Sequence, residues 1–323
     1  MHDAIIDFLL QSEPWTAYRT RLDLLDEDPG SPAVLEVRKN MLSHPAIIGL
    51  LDELTHWPGT PLNSHKSAGQ LFHKLAFIAE IGLNQSDVGV QEIIGKVVAN
   101  QDPDGPLLSL MNIPTHFGGS GKDQFTWVLC DAPLLTYSLA RLGMQDDARI
   151  QKAKNYLAGL SCEKGFLCKA SADLGKFRGP GKKDDPCPFA TLIMLKLMNL
   201  FDEDRNSEAA RASVESLLHL WENSYTLHPY LFYAGKDFRK LKAPLVWYDI
   251  LNVADTLSNF EYARKDQRFH DMVHEIEDKT DADGLFTAES VWKAWKDWEF
   301  GQKKVPSKWI TFLVYRILKR MER

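Results

Sequence analysis

A strongly apolar segment recurs along this chain about every sixty residues. A fixed period of this length indicates one supersecondary unit used repeatedly, with neighbouring units burying a continuous core between them. We therefore expect one domain over residues 1–323, with N-terminal closing helices in 1–60 and repeats in 61–323. Successive segments start 61, 55, 56 and 62 residues apart, at Phe72, Pro133, Pro188, Pro244 and Pro306.

Each repeat combines two kinds of helix. The segment that begins at Pro188 is apolar nearly all round, which is typical of a helix buried on every side. Proline suits the first turn of such a helix. Other segments carry apolar residues at positions i, i+3, i+4 and i+7, from Val214 to Trp221 and from Phe269 to Ile276, as amphipathic outer helices do. The chain is predicted to be all-α, with inner and outer helices alternating.

Short returns between these helices predict a closed α/α toroid. Its inner and outer rings would hold about five to six helical hairpins, and residues 33–57 would form one long helix near the N-terminus. A turn signal containing Gly105, Gly165 or Gly284 lies between outer and inner segments. We expect this turn at the end of the repeat opposite to the loops that precede the inner helices.

The run Gln101-Asp-Pro-Asp-Gly105, set between an outer and a buried helix, carries a family resemblance. Together with weaker copies at Gly165 and Gly284, it resembles the repeat of terpenoid cyclases, protein prenyltransferases and bacterial squalene-cyclase-like proteins. The resemblance covers roughly residues 60–323 and implies an α/α toroid. The Asp-x-Asp-Asp and Asp-Asp-x-x-Asp motifs of the cyclases are absent from the sequence.

The loops that precede the inner helices are basic and rich in glycine. In a toroid these loops share one mouth, and together 116–127, 176–188, 235–244 and 301–308 hold 12 Lys/Arg and 4 Asp/Glu. The rest of the chain holds 26 Lys/Arg and 40 Asp/Glu. Helix N-termini also favour anions, so we predict a site for a phosphate, diphosphate or carboxylate group. The alternative is that lysine and glycine are common in solvated loops. The candidate anion-binding residues are Lys122, Arg178, Lys182, Lys183, Lys236, Arg239, Lys240 and Lys308.

Acidic and thiol side chains lie beside these loops. Carboxylates near an apolar wall can have raised pKa values and serve in acid–base chemistry. In the alternative reading, Asp185 caps a helix and Cys187 packs as a small buried group. The candidate catalytic residues are Asp131, Asp185, Cys187 and Asp249.

We predict no cofactor, with zinc at Asp185 and Cys187 as the alternative. The Asp185-Pro-Cys187 spacing resembles the zinc pair of protein prenyltransferases. A catalytic zinc takes about three protein ligands, and the stretch 242–249 offers no histidine.

Four aromatic residues fall near the predicted starts of inner helices. Rings in these positions can line a cavity, stabilise cations or stack on sugars. The alternative is that they pack as ordinary core. The candidate cavity-lining residues are Trp127, Trp247, Tyr248 and Trp309.

The function that fits best is binding or transformation of an apolar small molecule with an anionic group. Catalysis itself stays open, because the usual cyclase and zinc motifs are incomplete. One alternative is a carbohydrate-processing α/α barrel, which needs two carboxylates about 5–10 Å apart. Another is a non-catalytic module that grips an acidic protein.

Bulk properties narrow the partners further. The net charge of −6 and the lack of an arginine-rich stripe disfavour nucleic acid. No stretch reaches the roughly 18–20 apolar residues of a membrane span, and no signal peptide is evident. Four irregularly spaced cysteines do not form a secreted disulfide framework, so a cytoplasmic protein is expected. The oligomeric state is left open.

Overall fold

A computed structural model describes residues 3–177, 184–229 and 232–323. The described chain is rich in α-helix, as the apolar patterns predict. It divides into two compact units. Unit 1 comprises Met1–Asp52 and Lys236–Arg323, and unit 2 comprises Glu53–Gly235. The single domain expected over 1–323 stays a prediction.

Four helices open the chain, and they correct one expectation. They are α1 (Asp3–Leu10), α2 (Pro14–Arg19), α3 (Pro32–Leu42) and α4 (Pro45–Thr55). The long helix predicted over residues 33–57 is wrong, because the chain leaves the helical conformation at Ser43–His44. Proline disfavours helical geometry in the residue before it, and Pro45 begins the next helix.

Unit 2 alternates buried and striped helices, as predicted. Its inner helices α5, α7 and α9 are largely or fully buried, and α7 packs against both of the others. Of the outer helices, α8 packs on α7 and α9, and α11 packs on α9. The bounds are α5 (Leu71–Ile81), α6 (Val90–Val98), α7 (Ala132–Leu139), α8 (Ala148–Ala158), α9 (Pro188–Met198), α10 (Asp202–Arg205) and α11 (Glu208–Glu222).

Two short β-hairpins also lie in unit 2, and no sheet was predicted there. Strands β1 (Ser109–Met111) and β2 (Gln124–Thr126) pair antiparallel, and so do β3 (Ser161–Cys162) and β4 (Gly165–Phe166). Segments of two or three residues are too short to show alternation in a sequence. Both hairpins lie in connections that lead from an outer to an inner helix.

The C-terminal part of unit 1 contains α12 (Ile250–Leu257), α13 (Glu261–Arg264), α14 (Gln267–Glu277) and α15 (Lys308–Met321). Helix α12 packs on α14 and α15, and α15 also contacts α1. The inner helix expected to begin at Pro244 begins instead at Ile250. Asp249 fixes this start. Its backbone is extended, and its side chain accepts the N–H of Asn252 as a cap.

Two of the repeats share a hydrogen bond as well as the sequence spacing. At the start of α9, the N–H of Phe166 donates to Oγ1 of Thr191 at 3.2 Å. At the start of α15, the N–H of Phe286 donates to Oγ1 of Thr311 at 3.0 Å. Donor and acceptor are 25 residues apart in both places. The two segments therefore use one backbone design.

Two of the glycine turns lie against inner helices, and the turn of Gly105 lies against the outer helix α8. Gly105, Gly165 and Gly284 all have positive φ angles, which glycine adopts without the steric cost of a Cβ. Gly165 faces Thr191 in α9, and Gly284 faces Tyr315 in α15. Turn and basic loop belong to the same connection, so the placement of the turn at the opposite end is wrong.

Candidate functional site

Two of the loops predicted to converge do meet in unit 2. A Cβ added at Gly118 would lie 3.1 Å from the carbonyl carbon of Lys176, so these two backbones are in close contact. The side-chain amide of Gln124 donates to the carbonyl oxygen of Asp173 at 3.4 Å. Lys122 and Lys176 are exposed beside this contact. The meeting point lies in the connections that lead into α7 and α9.

The remaining candidate cations fall into three groups. Lys236 is exposed in unit 1. Three others lie outside the described residues, namely Arg178, Lys182 and Lys183.

The other unit 1 cations already have partners within the chain. Arg239 lies 2.7 Å from the carboxylate of Glu275, and Lys240 lies 3.1 Å from that of Asp237. The Nζ of Lys308 donates to a backbone carbonyl of the N-terminal segment at 2.8 Å. An external anion would compete with these groups, and its binding here stays a prediction.

Asp131 is fully buried at the N-cap of α7. One carboxylate oxygen, Oδ1, accepts the N–H groups of Ala132 at 2.6 Å and Val128 at 3.0 Å. The other, Oδ2, faces Nε2 of His65 at 3.6 Å. Within the described part of the chain, neither Oδ2 nor this ring nitrogen has a hydrogen-bond partner. Asp131 therefore caps its helix with one oxygen and turns the other towards an imidazole.

His65 is a residue that the sequence reasoning missed. Its loop runs beside β1, where Leu62 donates its N–H to Leu110, and its side chain is 17% exposed. Its carbonyl oxygen lies 2.7 Å from Nε2 of His73 in α5. Burial lowers the pKa of His73 to about 3, so this ring is neutral and donates from Nε2. No motif marks His65; only the fold brings it to Asp131.

Three cysteines form a second cluster close to Asp131. Cys187 is the N-cap of α9 and is buried, as the small-group reading predicts. Hydrogen bonds with the thiols of Cys168 and Cys187, followed by burial, raise the pKa of Cys130 well above its usual range. For Cys187, the hydrogen bond with Cys130 lowers the pKa, but Cys168 and burial outweigh it and raise the pKa to about 12. Cys130 and Cys187 are therefore neutral thiols at pH 7.

Asp185 is half-buried and does not cap α9, because it lies two residues before the N-cap. Its segment is joined to the end of the second hairpin by a bridge between Leu167 and Pro186. Across 3–177, 184–229 and 232–323, no group of three or more His, Cys, Asp or Glu side chains is arranged to hold a metal ion. The zinc alternative at Asp185 and Cys187 thus gains no third ligand in these ranges.

Asp249 belongs to unit 1 and also caps a helix. It is fully buried, and its Oδ1 accepts the N–H of Asn252 at 3.0 Å. Three of the four candidate catalytic residues, Asp131, Cys187 and Asp249, thus occupy the same N-cap position in successive repeats. Recurrence at a cap position is sufficient to explain an aspartate there without catalysis. A catalytic role for Asp249 stays a prediction.

Three of the four candidate cavity-lining rings are buried and packed against other rings. Trp127 meets Tyr156 edge-on at 5.7 Å between centroids, and Trp309 stacks on Phe312 at 5.1 Å. Tyr248 packs on the ring of a nearby phenylalanine, and burial raises its pKa. The fourth, Trp247, is half-buried. These contacts match the alternative reading of the rings as core.

A buried polar trio links the three inner helices of unit 2. The Tyr137 hydroxyl donates to Oε1 of Glu80 at 2.8 Å, and Nζ of Lys196 lies 3.1 Å from the same oxygen. All three side chains are buried. Because a buried charge needs a specific partner, this trio fixes how α5, α7 and α9 align. Tyr137 and Lys196 lie towards the C-terminal ends of α7 and α9, opposite the ends that begin at Asp131 and Cys187.

No protein-family model matches the chain, and a search of curated proteins finds no match. Among the described residues, no helix combines the length and apolarity required to cross a membrane. The case for a function therefore rests on the geometry at the beginnings of α7 and α9.

Proposed function

We propose that unit 2 binds, and transforms by acid–base chemistry, an apolar small molecule with an anionic group. The site lies at the N-terminal ends of α7 and α9, with His65 and Asp131 as its proton-transfer pair. The observation that carries the proposal is the buried Asp131 Oδ2, which faces His65 Nε2 at 3.6 Å.

The loops supply the anion-binding part of the proposal. Lys122 and Lys176 are exposed where the backbones of their loops touch. Gly118 has a positive φ and leaves no space for a side chain, so backbone approaches backbone closely at this point. Lysine ammonium groups near the starts of two helices favour a phosphate, diphosphate or carboxylate.

The pair supplies the chemistry. An imidazole beside a buried carboxylate can accept a proton from a substrate while the carboxylate orients the ring and stabilises its charged form. A separation of 3.6 Å is longer than a hydrogen bond, and catalytic hydrogen bonds often tighten only when substrate binds. In this proposal His65 is the general base, and Asp131 positions it.

The same proposal includes the closed α/α toroid and the resemblance to terpenoid cyclases and protein prenyltransferases. It is supported by the alternation of buried and striped helices and by the equal backbone designs at α9 and α15. In a toroid every inner helix begins at the same end, so the basic loops would form one surface. An isoprenoid-like ligand with an anionic head would suit an apolar wall below that surface.

Ligand binding is the first test. Native mass spectrometry and solvent extraction of the purified protein should reveal a co-purifying small molecule. Isothermal titration with prenyl diphosphates and with inorganic diphosphate then separates the apolar from the anionic contribution. Binding of the prenyl compound alone supports the apolar part, and binding of both supports the anionic part. No extracted ligand and no binding of either compound would remove the proposal.

Matched variants locate the site. The double change Lys122→Gln and Lys176→Gln should weaken diphosphate binding about tenfold or more, which is the loss expected from roughly 1.4 kcal/mol. The control is Lys39→Gln, which removes an exposed lysine of α3 in unit 1. Equal affinity in all three proteins would place the anion elsewhere. Once a turnover assay exists, His65→Gln should abolish turnover and leave ligand binding in place.

A further inference from the structure

Backbone pairing brings two segments that carry cysteines side by side in unit 2. Val128 and Ala170 form an antiparallel bridge, the N–H of Leu129 donates to Lys169 at 2.8 Å, and the N–H of Ser171 donates to Trp127 at 2.9 Å. In an antiparallel pair one register step advances one segment and retreats along the other. Cys130 and Cys168 each lie two residues from this bridge, and the chain turns after Val128, whose carbonyl accepts the N–H of Asp131 at 3.1 Å. The thiols of the two cysteines are in side-chain contact.

The three clustered thiols differ in their access to solvent. Cys130 and Cys168 are partly exposed, whereas Cys187 is buried. A disulfide requires two thiols that can approach to bonding distance, and the Cys130 thiol is already in contact with that of Cys168. The pair that is both accessible and in contact is thus Cys130 with Cys168. Cys162 is the fourth cysteine. It lies in β3 of the second hairpin and not in the two segments joined by the Val128–Ala170 bridge.

We propose that Cys130 and Cys168 are a dithiol–disulfide modification site, oxidised by a small disulfide of the glutathione class. The thiolate of one cysteine attacks a sulfur of the oxidant, forming a mixed disulfide and releasing one small thiol. The thiolate of the other cysteine then attacks the protein sulfur of that mixed disulfide and releases the second small thiol. The protein loses two hydrogens, and the small disulfide is reduced to two thiols.

The environment of this site makes both the oxidation of its thiols and the reduction of its disulfide slow. A thiol of high pKa holds little thiolate at pH 7, so oxidation begins slowly. A thiol of high pKa is also a poor leaving group, so the disulfide resists reduction once it is made. The bond would tie the residue before the Asp131 cap to the segment that follows the second hairpin. It would therefore act as a durable link rather than a rapid sensor.

Peptide mapping tests the proposal. The reduced wild-type protein is incubated with oxidised glutathione, quenched by alkylation and digested for mass spectrometry. We expect a peptide that links Cys130 to Cys168, with Cys162 and Cys187 still alkylated. We also expect a higher Tm than that of the reduced protein, because the link restricts the unfolded chain.

Single variants give the controls. Cys162→Ser should form the link with unchanged yield, and so should Cys187→Ser. Cys168→Ser should lose the link and retain glutathione on Cys130. A link from Cys130 to Cys187, glutathione on separate cysteines of the wild-type protein, or no oxidation would each overturn the proposal. Because no ligand is involved, the outcome is independent of the proposed acid–base function.

Discussion

The start of α9 in unit 2 and the start of α15 in unit 1 share a backbone design and a threonine, but their N-cap side chains differ. In both, the N-cap residue donates its N–H to a phenylalanine carbonyl, Cys187 at 2.7 Å and Ser307 at 2.8 Å. Ser307 caps the N–H of Ile310, whereas Cys187 makes no side-chain cap hydrogen bond. The repeat thus sets the path of the chain and leaves the chemistry of each helix start to individual residues.

A buried carboxylate makes the second difference between these helix starts. Glu299 accepts the N–H groups of Lys308 at 3.1 Å and Trp309 at 2.7 Å, and the Ser307 hydroxyl at 3.1 Å. Burial is the largest cause that raises the pKa of Glu299, to about 7, and the nearby Glu13 adds to it. The start of α15 therefore carries an internal anion whose charge depends on pH. The start of α9 carries a neutral thiol beside loops that hold lysines.

The largest expected effect concerns the buried cations of the two helices. Lys196 of α9 pairs with Glu80, and Arg316 of α15 pairs with Asp255 at 2.8 Å. Lys196→Met should lower the free energy of unfolding by about 3–5 kcal/mol, because it removes the ammonium group that pairs with a buried carboxylate. Arg316→Met should cost less, because Arg320 also lies 3.0 Å from Asp255. Urea denaturation measures both.

A double change controls this prediction. Adding Glu80→Gln to Lys196→Met removes the buried charge and should recover much of the lost stability. A larger loss for Arg316→Met than for Lys196→Met would show that Arg320 does not compensate.

The next effect is the pH dependence of α15. Because the folded-state pKa of Glu299 is about 7, above its usual value of 4.5, the folded protein binds this proton more tightly than the unfolded chain. Glu299 therefore lowers stability as pH rises from about 4.5 to 7, by at most about 3 kcal/mol, and the full penalty is present above that range. Glu299→Gln lacks this titration. The free energy of unfolding of the wild-type protein, minus that of the variant, should fall across this window in urea denaturation at several pH values. Parallel curves of stability against pH would contradict the prediction.

The shared threonine tests whether the two designs are equivalent. Thr191→Val and Thr311→Val each remove the acceptor for a buried phenylalanine N–H. We expect each to lower the free energy of unfolding by about 1–3 kcal/mol, the cost of an unsatisfied buried donor. Thermal and urea unfolding should give losses within about 1 kcal/mol of one another. A loss at only one position would show that the repeat is structural in one unit alone.

The smallest expected effect concerns the N-caps themselves. Ser307→Ala should cost about 1 kcal/mol, because it removes the side-chain acceptor for the N–H of Ile310. Cys187→Ala removes no side-chain cap hydrogen bond of α9 and should therefore cost less through capping, with a further loss only from the small cavity. Matched thermal melts distinguish the two. Equal changes in helix content for the two variants near the midpoint of the thermal melt would mean that the Cys187 thiol caps α9 as well as a hydroxyl would.

Local patterns in the sequence identified much of the helical framework. The apolar stripe from Val214 to Trp221 lies in α11, and the stripe from Phe269 to Ile276 lies in α14. Proline at 188 begins α9 as expected, because proline fits the first helical turn. Proline at 244 does not begin α12, because a capping aspartate five residues later sets the helix start. A proline permits a helix start, and the cap decides it.

The candidate site was only partly visible in the sequence. Asp131 stood out because it precedes a buried helix, but its partner His65 is 66 positions away and belongs to no motif. The cysteines were noted singly, and their cluster depends on antiparallel pairing between separate segments. Long-range contacts of this kind leave no periodic trace.

By itself, the sequence determined the period, the alternation of buried and amphipathic helices, and the glycine turns, because these depend on spacing along the chain. Only the tertiary structure decided which buried groups meet: Asp131 with His65, Glu80 with Lys196, and Cys130 with Cys168. A buried charge or thiol takes its pKa and its chemistry from neighbours distant in sequence. Helix formation is a local property, and the environment of a site is a property of the folded chain.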